Sequence, residues 1–162
     1  MIIVSNTSPI INLAAIDRLD ILHKLFGNII IAEAVYHEIV IIGAGQPGAN
    51  EVRKYDWITT KKVSNKSLVK AFQLELDDGE AEAIALAKEL NADLLLIDEK
   101  IGRKVASRFN LKYVGLLGLL IDAKSNGMVG NIKPLLDDLK KRAGFWISEK
   151  LYSRILEIAN EN

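Results

Sequence analysis

Asp98 directly follows Leu94-Leu95-Leu96-Ile97, a short apolar run without alternation. Such a run reads as a strand buried on both faces, so the carboxylate belongs at a strand tip. Asp also suits the N-cap of a following helix, here Lys100 to Phe109. Glu38 lies three residues after Val35 and four before Ile42, on one side of a predicted helix. It is either a surface residue at the edge of that stripe or a carboxylate with a partner, because burying it unpaired is costly. Glu80 and Glu82 open an Ala-rich helix at Gly79-Glu80-Ala81-Glu82-Ala83-Ile84. The helix dipole favours both, and Asp77 with Glu80 has capping-box spacing. Asn6 follows the first apolar run and reads as turn chemistry or as an amide aimed at the same rim as Asp98. Three acids and an amide in one cluster would repel unless they held a cation. Oxygen donors without His or Cys suit Mg²⁺ or Mn²⁺, and such sites serve phosphoryl chemistry.

The elements that must position these residues alternate. Ile2-Ile3-Val4, Asn28 to Ile31, Trp57 to Val63, Leu94 to Ile97 and Lys112 to Val114 read as extended. Between them come helices: one from Pro9, capped by Thr7 or Ser8, then Asp17 to Phe26, Ala32 to Ile42, Ser67 to Leu76, Asp77 to Leu90 and Lys100 to Phe109. Leu116 to Asn126, Pro134 to Arg142 and Glu149 to Ala159 follow, the last capped by Ser148. Short buried strands alternating with helices predict an α/β fold, three layers α/β/α with a mainly parallel central sheet. In such sheets ligands sit beyond the carboxyl ends of the strands, where Asn6, Glu38 and Asp98 fall. Lys100, Arg103 and Lys104 share a helix face that would track phosphates or simply face solvent.

The 162 residues are 49% hydrophobic and 26% charged, which excludes a disordered chain. Lys and Arg total 21, as do Asp and Glu, so a globally basic nucleic-acid binder is excluded and a locally basic one is not. With no Cys, disulfides, zinc ribbons and thiol catalysis are excluded, and a cytoplasmic location is expected. The apolar stretches are too short to span a bilayer, and no signal peptide is read at the start. Gly43-Ala44-Gly45-Gln46-Pro47-Gly48 matches a dinucleotide pattern but follows a helix, so a nucleotide-binding protein is a distant third hypothesis. Trp57 and Trp146 are expected to be packing residues rather than base-stacking platforms.

Four stretches, in order, resemble the PIN-domain family, specifically the short prokaryotic PIN-like group related to toxins of toxin–antitoxin pairs. They are Ile3 to Pro9, Ala34 to Ile39, Gly79 to Ile84 and Leu94 to Glu99, with Gly102-Arg103 and Val114 to Gly118 adding to the match. The resemblance covers roughly the first 120 residues. It implies one PIN-like domain over 1–162, completed by C-terminal helices from about 132. It also implies a metal-dependent endoribonuclease acting on single-stranded RNA, with Mg²⁺ or Mn²⁺ activating a water that attacks phosphorus in line and leaves a 5′-phosphate. Carried over by position, Glu38, Asp98 and one of Glu80 or Glu82 are metal-site acids, with Glu80 favoured. Asn6 completes the ligand set, and Thr7 and Ser8 orient it. A homodimer and an antitoxin protein partner are implied as well.

Asn6 departs from the family pattern, which has Asp there. The amide keeps a carbonyl ligand and loses a charge, which Glu99 could replace. The chain is then an active nuclease with a weaker or different metal requirement, a non-catalytic RNA- or protein-binding module, or an enzyme disarmed by one substitution.

Overall fold

The computed structural model describes residues 1–161. Five strands form one parallel sheet: β1 (Ile3–Ser5), β2 (Ile29–Ala32), β3 (Ile58–Lys61), β4 (Leu94–Leu96) and β5 (Tyr113–Val114), in the order β3-β2-β1-β4-β5. Helices flank the sheet, giving three layers α/β/α. They are α1 (Thr7–Ala15), α2 (Asp20–Phe26), α3 (Glu33–Tyr36), α4 (Ala49–Lys54), α5 (Lys66–Phe72), α6 (Asp78–Glu89), α7 (Lys100–Arg108), α8 (Leu116–Ser125), α9 (Lys133–Lys141) and α10 (Glu149–Ile158). Residues of β1 and β4 are nearly all fully buried, as unalternating apolar runs require when helices cover both faces.

The strand order reverses between β1 and β4, which pair Ile3 with Leu94, Val4 with Leu95 and Ser5 with Leu96. The Asn6 N–H continues the ladder by donating to the Leu96 carbonyl (2.9 Å). Position 6 and the residues just after Leu96 therefore leave the sheet side by side, at the topological switch point where open α/β sheets bind ligands.

Several local expectations are corrected. The helix expected over Ala32 to Ile42 is one α-helical turn, α3, followed by a π-helix at His37–Ile42. The Gly43 N–H closes it on the Glu38 carbonyl (3.0 Å), and a Cβ at Gly43 would come within 2.6 Å of the Ile39 carbonyl oxygen. Such wide turns are often found at functional sites, and this one begins beside Glu38. Neither Thr7 nor Ser8 caps α1. Its N-cap position is Asn6, whose side chain makes no capping bond. Asp17 stands outside α2 with φ 58°. The Gly43 to Gly48 segment links the π-helix to α4 rather than β1 to a helix, so the dinucleotide reading lacks its structural context. No helix among the described residues is long and apolar enough to cross a membrane.

The C-terminal helices are tied to the body by Glu161. Its carboxylate accepts from the Ile132 and Lys133 N–H groups (2.8 and 2.9 Å) at the start of α9 and pairs with Lys124 Nζ of α8 (2.7 Å), with its side chain 5% exposed. Burial alone would raise this carboxyl, but Lys124 and the two amides outweigh it and hold it below its ordinary value of 4.5. A depressed folded value contributes stability that is present above the unfolded value and lost as pH falls through the folded one. Glu161→Gln is therefore expected to cost about 2–3 kcal/mol at pH 7, a fall of roughly 4–12 °C in Tm. The gap should close as pH drops below 4.5. Parallel melting curves for the two chains at pH 7 and pH 3.5 check this, and a gap unchanged with pH would refute it.

Candidate active site at the carboxyl edge of the sheet

Asn6, at the end of β1, is 2% exposed. Its Nδ2 donates to Glu99 Oε2 (3.1 Å), which leaves Oδ1 as a buried acceptor with no hydrogen-bond partner. Asp98 follows β4 with its side chain 15% exposed. It does not cap α7, where Glu99 holds the N-cap position; its Oδ1 accepts instead from the Leu116 N–H (2.8 Å) at the start of α8. Asp98 Oδ2 is the second buried oxygen without a partner. Leaving such oxygens unpaired is expensive. Two of them on adjacent strands, both hard donors, fit a divalent cation such as Mg²⁺ or Mn²⁺.

Arg103 turns inward from α7. Its Nε donates to the Ile97 carbonyl (3.1 Å), and Nη2 lies 3.6 Å from Asp98 Oδ1. Burial pushes the Asp98 carboxyl up, the Leu116 amide opposes that, the Glu99 charge adds to it and Arg103 offsets it. A larger residue beside this group would displace it. A Cβ at Gly115 would collide with the Arg103 guanidinium and come within 2.6 Å of Asp98 Oδ1. Lys100 and Lys104, unlike Arg103, are exposed.

The two glutamates of α6 part company. Glu82 Oε1 accepts from the Ala34 N–H (3.0 Å) and so serves the first turn of α3. Glu80 stays half-buried on the other side, with Oε2 3.2 Å from where a Cβ at Gly102 would sit. Burial first, then the side chain and charge of Asp77 and the charge of Glu99, push Glu80 up to about 8, against the pull of the Asp77 amide. Asp77 does cap α6, accepting from the Glu80 N–H (2.8 Å).

Glu38 is neither free on the surface nor beside Asp98. The Thr7 hydroxyl donates to its Oε1 (2.6 Å) and the Gly79 N–H to its Oε2 (2.8 Å). A Cβ at Gly79 would overlap the Glu38 carboxylate, so that close approach requires glycine. Burial, with the charges of Asp77 and Asp78, raises the Glu38 carboxyl, while Thr7 and Gly79 pull it back. Thr7 thus positions Glu38 and not Asn6. Ser8 faces along α1, where its hydroxyl accepts from Asn12 Nδ2 (3.0 Å). Asp98 and Glu99 line a cleft of about 650 Å³, and Glu38 and Thr7 line another of about 400 Å³. Among the described residues, no three His, Asp and Glu side chains are gathered closely enough to form a metal cage as they stand.

Residues that were not singled out beforehand as parts of the site are Asp77 and the three glycines Gly79, Gly102 and Gly115. Each glycine stands next to a candidate acid in space, and only Gly79 does so in sequence. Glu99, which could replace the charge missing at position 6, bonds the Asn6 amide directly.

The Glu80 carboxyl makes stability depend on pH. Its raised folded value means that the native chain keeps a proton already lost by the unfolded chain, so metal-free stability falls as pH rises from 4.5 to about 8. Glu80→Gln should flatten that slope in EDTA, as read by Tm against pH. Equal slopes in the two chains would refute the placement.

Across known protein families, a family model described as a PIN domain matches residues 2–161. No curated protein matches the chain.

Proposed function

The chain belongs to the PIN-domain family, whose members are typically nucleases that use divalent metals, and we propose that it is a metal-dependent endoribonuclease acting on single-stranded RNA. The observation that carries this reading is the pair of buried, unpartnered oxygens, Asn6 Oδ1 and Asp98 Oδ2, at the switch point of the sheet. Those two atoms are ligands in this reading, and Glu80, whose carboxyl feels the charge of Glu99, is the third. Mg²⁺ or Mn²⁺ bound there would supply an activated water and neutralise charge on the scissile phosphate. Leu116 and Arg103 hold the Asp98 carboxylate in one orientation. Glu99 holds the Asn6 amide so that its oxygen remains free to coordinate. Thr7 and Gly79 fix Glu38 at the far side, and Lys100 and Lys104 offer exposed charge to the flanking phosphates. Glu82 is left out of the ligand set because the Ala34 amide occupies it.

The same reading makes the chain the toxin-like member of a pair with an antitoxin protein, and a homodimer. Ile158 of α10 stays about half exposed, which is consistent with a partner.

The test is cleavage of a mixed-sequence single-stranded RNA by the purified chain with Mn²⁺, with Mg²⁺ and with EDTA. Products bearing 5′-phosphates with metal, and none with EDTA, are expected. The second reading, a binding module without turnover, is favoured by the lost charge at Asn6. RNA retention without cleavage under every metal condition would select it.

A further inference from the structure

Trp146 is 82% exposed, against the expectation that it packs. The segment bearing it is anchored on both sides. The Phe145 N–H donates to the Leu139 carbonyl (2.9 Å), Ile147 is buried, and Ser148 caps α10 by accepting from the Leu151 N–H (3.1 Å). A single exposed indole needs no explanation, but Trp146 lines one cleft together with the partly exposed Tyr113 and Leu151, and a contiguous apolar patch marks a binding site. Trp146 borders two adjoining clefts. One leads to Asp98 and Glu99, and the other is lined by Lys100, Lys104 and Asp98.

We propose that Trp146 is the platform on which a base of the single strand stacks, beside the Asp98 edge of the sheet where the nuclease reading places the reacting phosphate. This deepens the RNA reading and rests on it. Every base has a π-face, so an exposed indole binds single strands without a fixed sequence, while nearby cations follow the backbone. Lys100 and Lys104 on α7 and Lys150 on α10 are exposed near this ridge; Arg108 is not available, since Glu75 pairs with it at 2.9 Å. The charges also argue against a second copy of the chain as the occupant. A two-fold interface centred on Trp146 would bring the same lysines towards their own copies.

The experiment measures binding of a short fluorescein-labelled single-stranded RNA by anisotropy in EDTA, so that cleavage plays no part. Trp146→Ala is expected to weaken binding about tenfold or more, and Trp146→Phe to recover most of it. In a Trp57→Phe background, the remaining indole should lose fluorescence on RNA addition. Scanning one abasic nucleotide along the RNA should find a position at which the native chain and Trp146→Ala bind equally. Unchanged affinity in Trp146→Ala, no binding by the native chain, or loss of a dimer in Trp146→Ala with RNA affinity intact would each overturn the proposal. Cleavage with Mn²⁺ that is indifferent to Trp146 would defeat the platform and leave the nuclease. Trp146-dependent binding with no cleavage under any metal condition would defeat the nuclease and leave the platform.

Discussion

Asp98→Asn is expected to lower metal-dependent RNA cleavage by about a hundredfold or more while leaving the metal-free fold at least as stable as the native chain. The two effects separate because the carboxylate has two jobs. As an acceptor for the Leu116 N–H it supports the start of α8, and an amide oxygen does that equally well. As a charge it sits 15% exposed with one oxygen unpartnered, and only a ligand can repay that cost. Its carboxyl is raised from the ordinary value, chiefly by burial, so at neutral pH the ionised form opposes folding. Neutralising it removes that opposition. Arg103 loses its ion pair at 3.6 Å but keeps the Ile97 carbonyl. Asp98→Ala should behave differently, leaving the Leu116 N–H without its acceptor at a cost of about 1 kcal/mol, or roughly 2–4 °C. The measurements are cleavage rate, Tm in EDTA, and the rise in Tm on adding Mn²⁺, which Asp98→Asn should largely abolish. A full Mn²⁺ shift in Asp98→Asn would remove Asp98 from the ligand set.

Asn6→Asp is the second large effect, with opposite signs in the presence and absence of metal. The native amide donates to Glu99 Oε2 at 3.1 Å. A carboxylate there cannot donate, so two acids would face each other in a pocket where position 6 is 2% exposed. A loss of about 1–3 kcal/mol, roughly 2–12 °C, is expected in EDTA. Mn²⁺ should more than restore it, since the added charge strengthens an oxygen site for a hard cation. Cleavage should rise with the tighter metal, about tenfold or more, the scale of one ligand-shell perturbation. A smaller Mn²⁺ shift in Asn6→Asp than in the native chain would mean that Asn6 Oδ1 does not coordinate. It would also make the Asn6–Glu99 pair a purely structural bond.

Much of this arrangement was legible along the chain. Buried runs such as Leu94 to Ile97 declare strands, and Gly27 stops α2 with φ 75°. Asp77 and Ser148 cap α6 and α10 as their spacing predicts, because a cap joins atoms only three residues apart. The sheet's parallel character follows from strands without alternation separated by helices. The family resemblance rested on the same short stretches, and the family match over residues 2–161 extends it into the C-terminal helices.

Spacing along the chain did not disclose which partner each polar group takes when the candidates lie far apart in sequence. Asp98 could cap α7, its neighbour, yet it takes Leu116 at the start of α8. Thr7 adjoins Asn6 and bonds Glu38, 31 residues away. Spacing favours Glu80 and leaves Glu82 open, and what separates them is that α3 offers its Ala34 amide to Glu82 alone. Trp146 had the composition of a core residue and was left outside because Phe145 and Ile147, on either side, point inward.

By itself, then, the sequence determined the elements, their order, the parallel sheet and the presence of carboxylates at its carboxyl edge. These depend on periodicity and on bonds spanning a few residues. The tertiary structure alone decided that β1 lies against β4 in the register that pairs Ser5 with Leu96 and brings Asn6 to the residues just after Leu96. It also decided which acids are already occupied and which oxygens remain without a partner. Those outcomes depend on strand order and on the packing of helices distant in sequence, where one shift of register would exchange every partner.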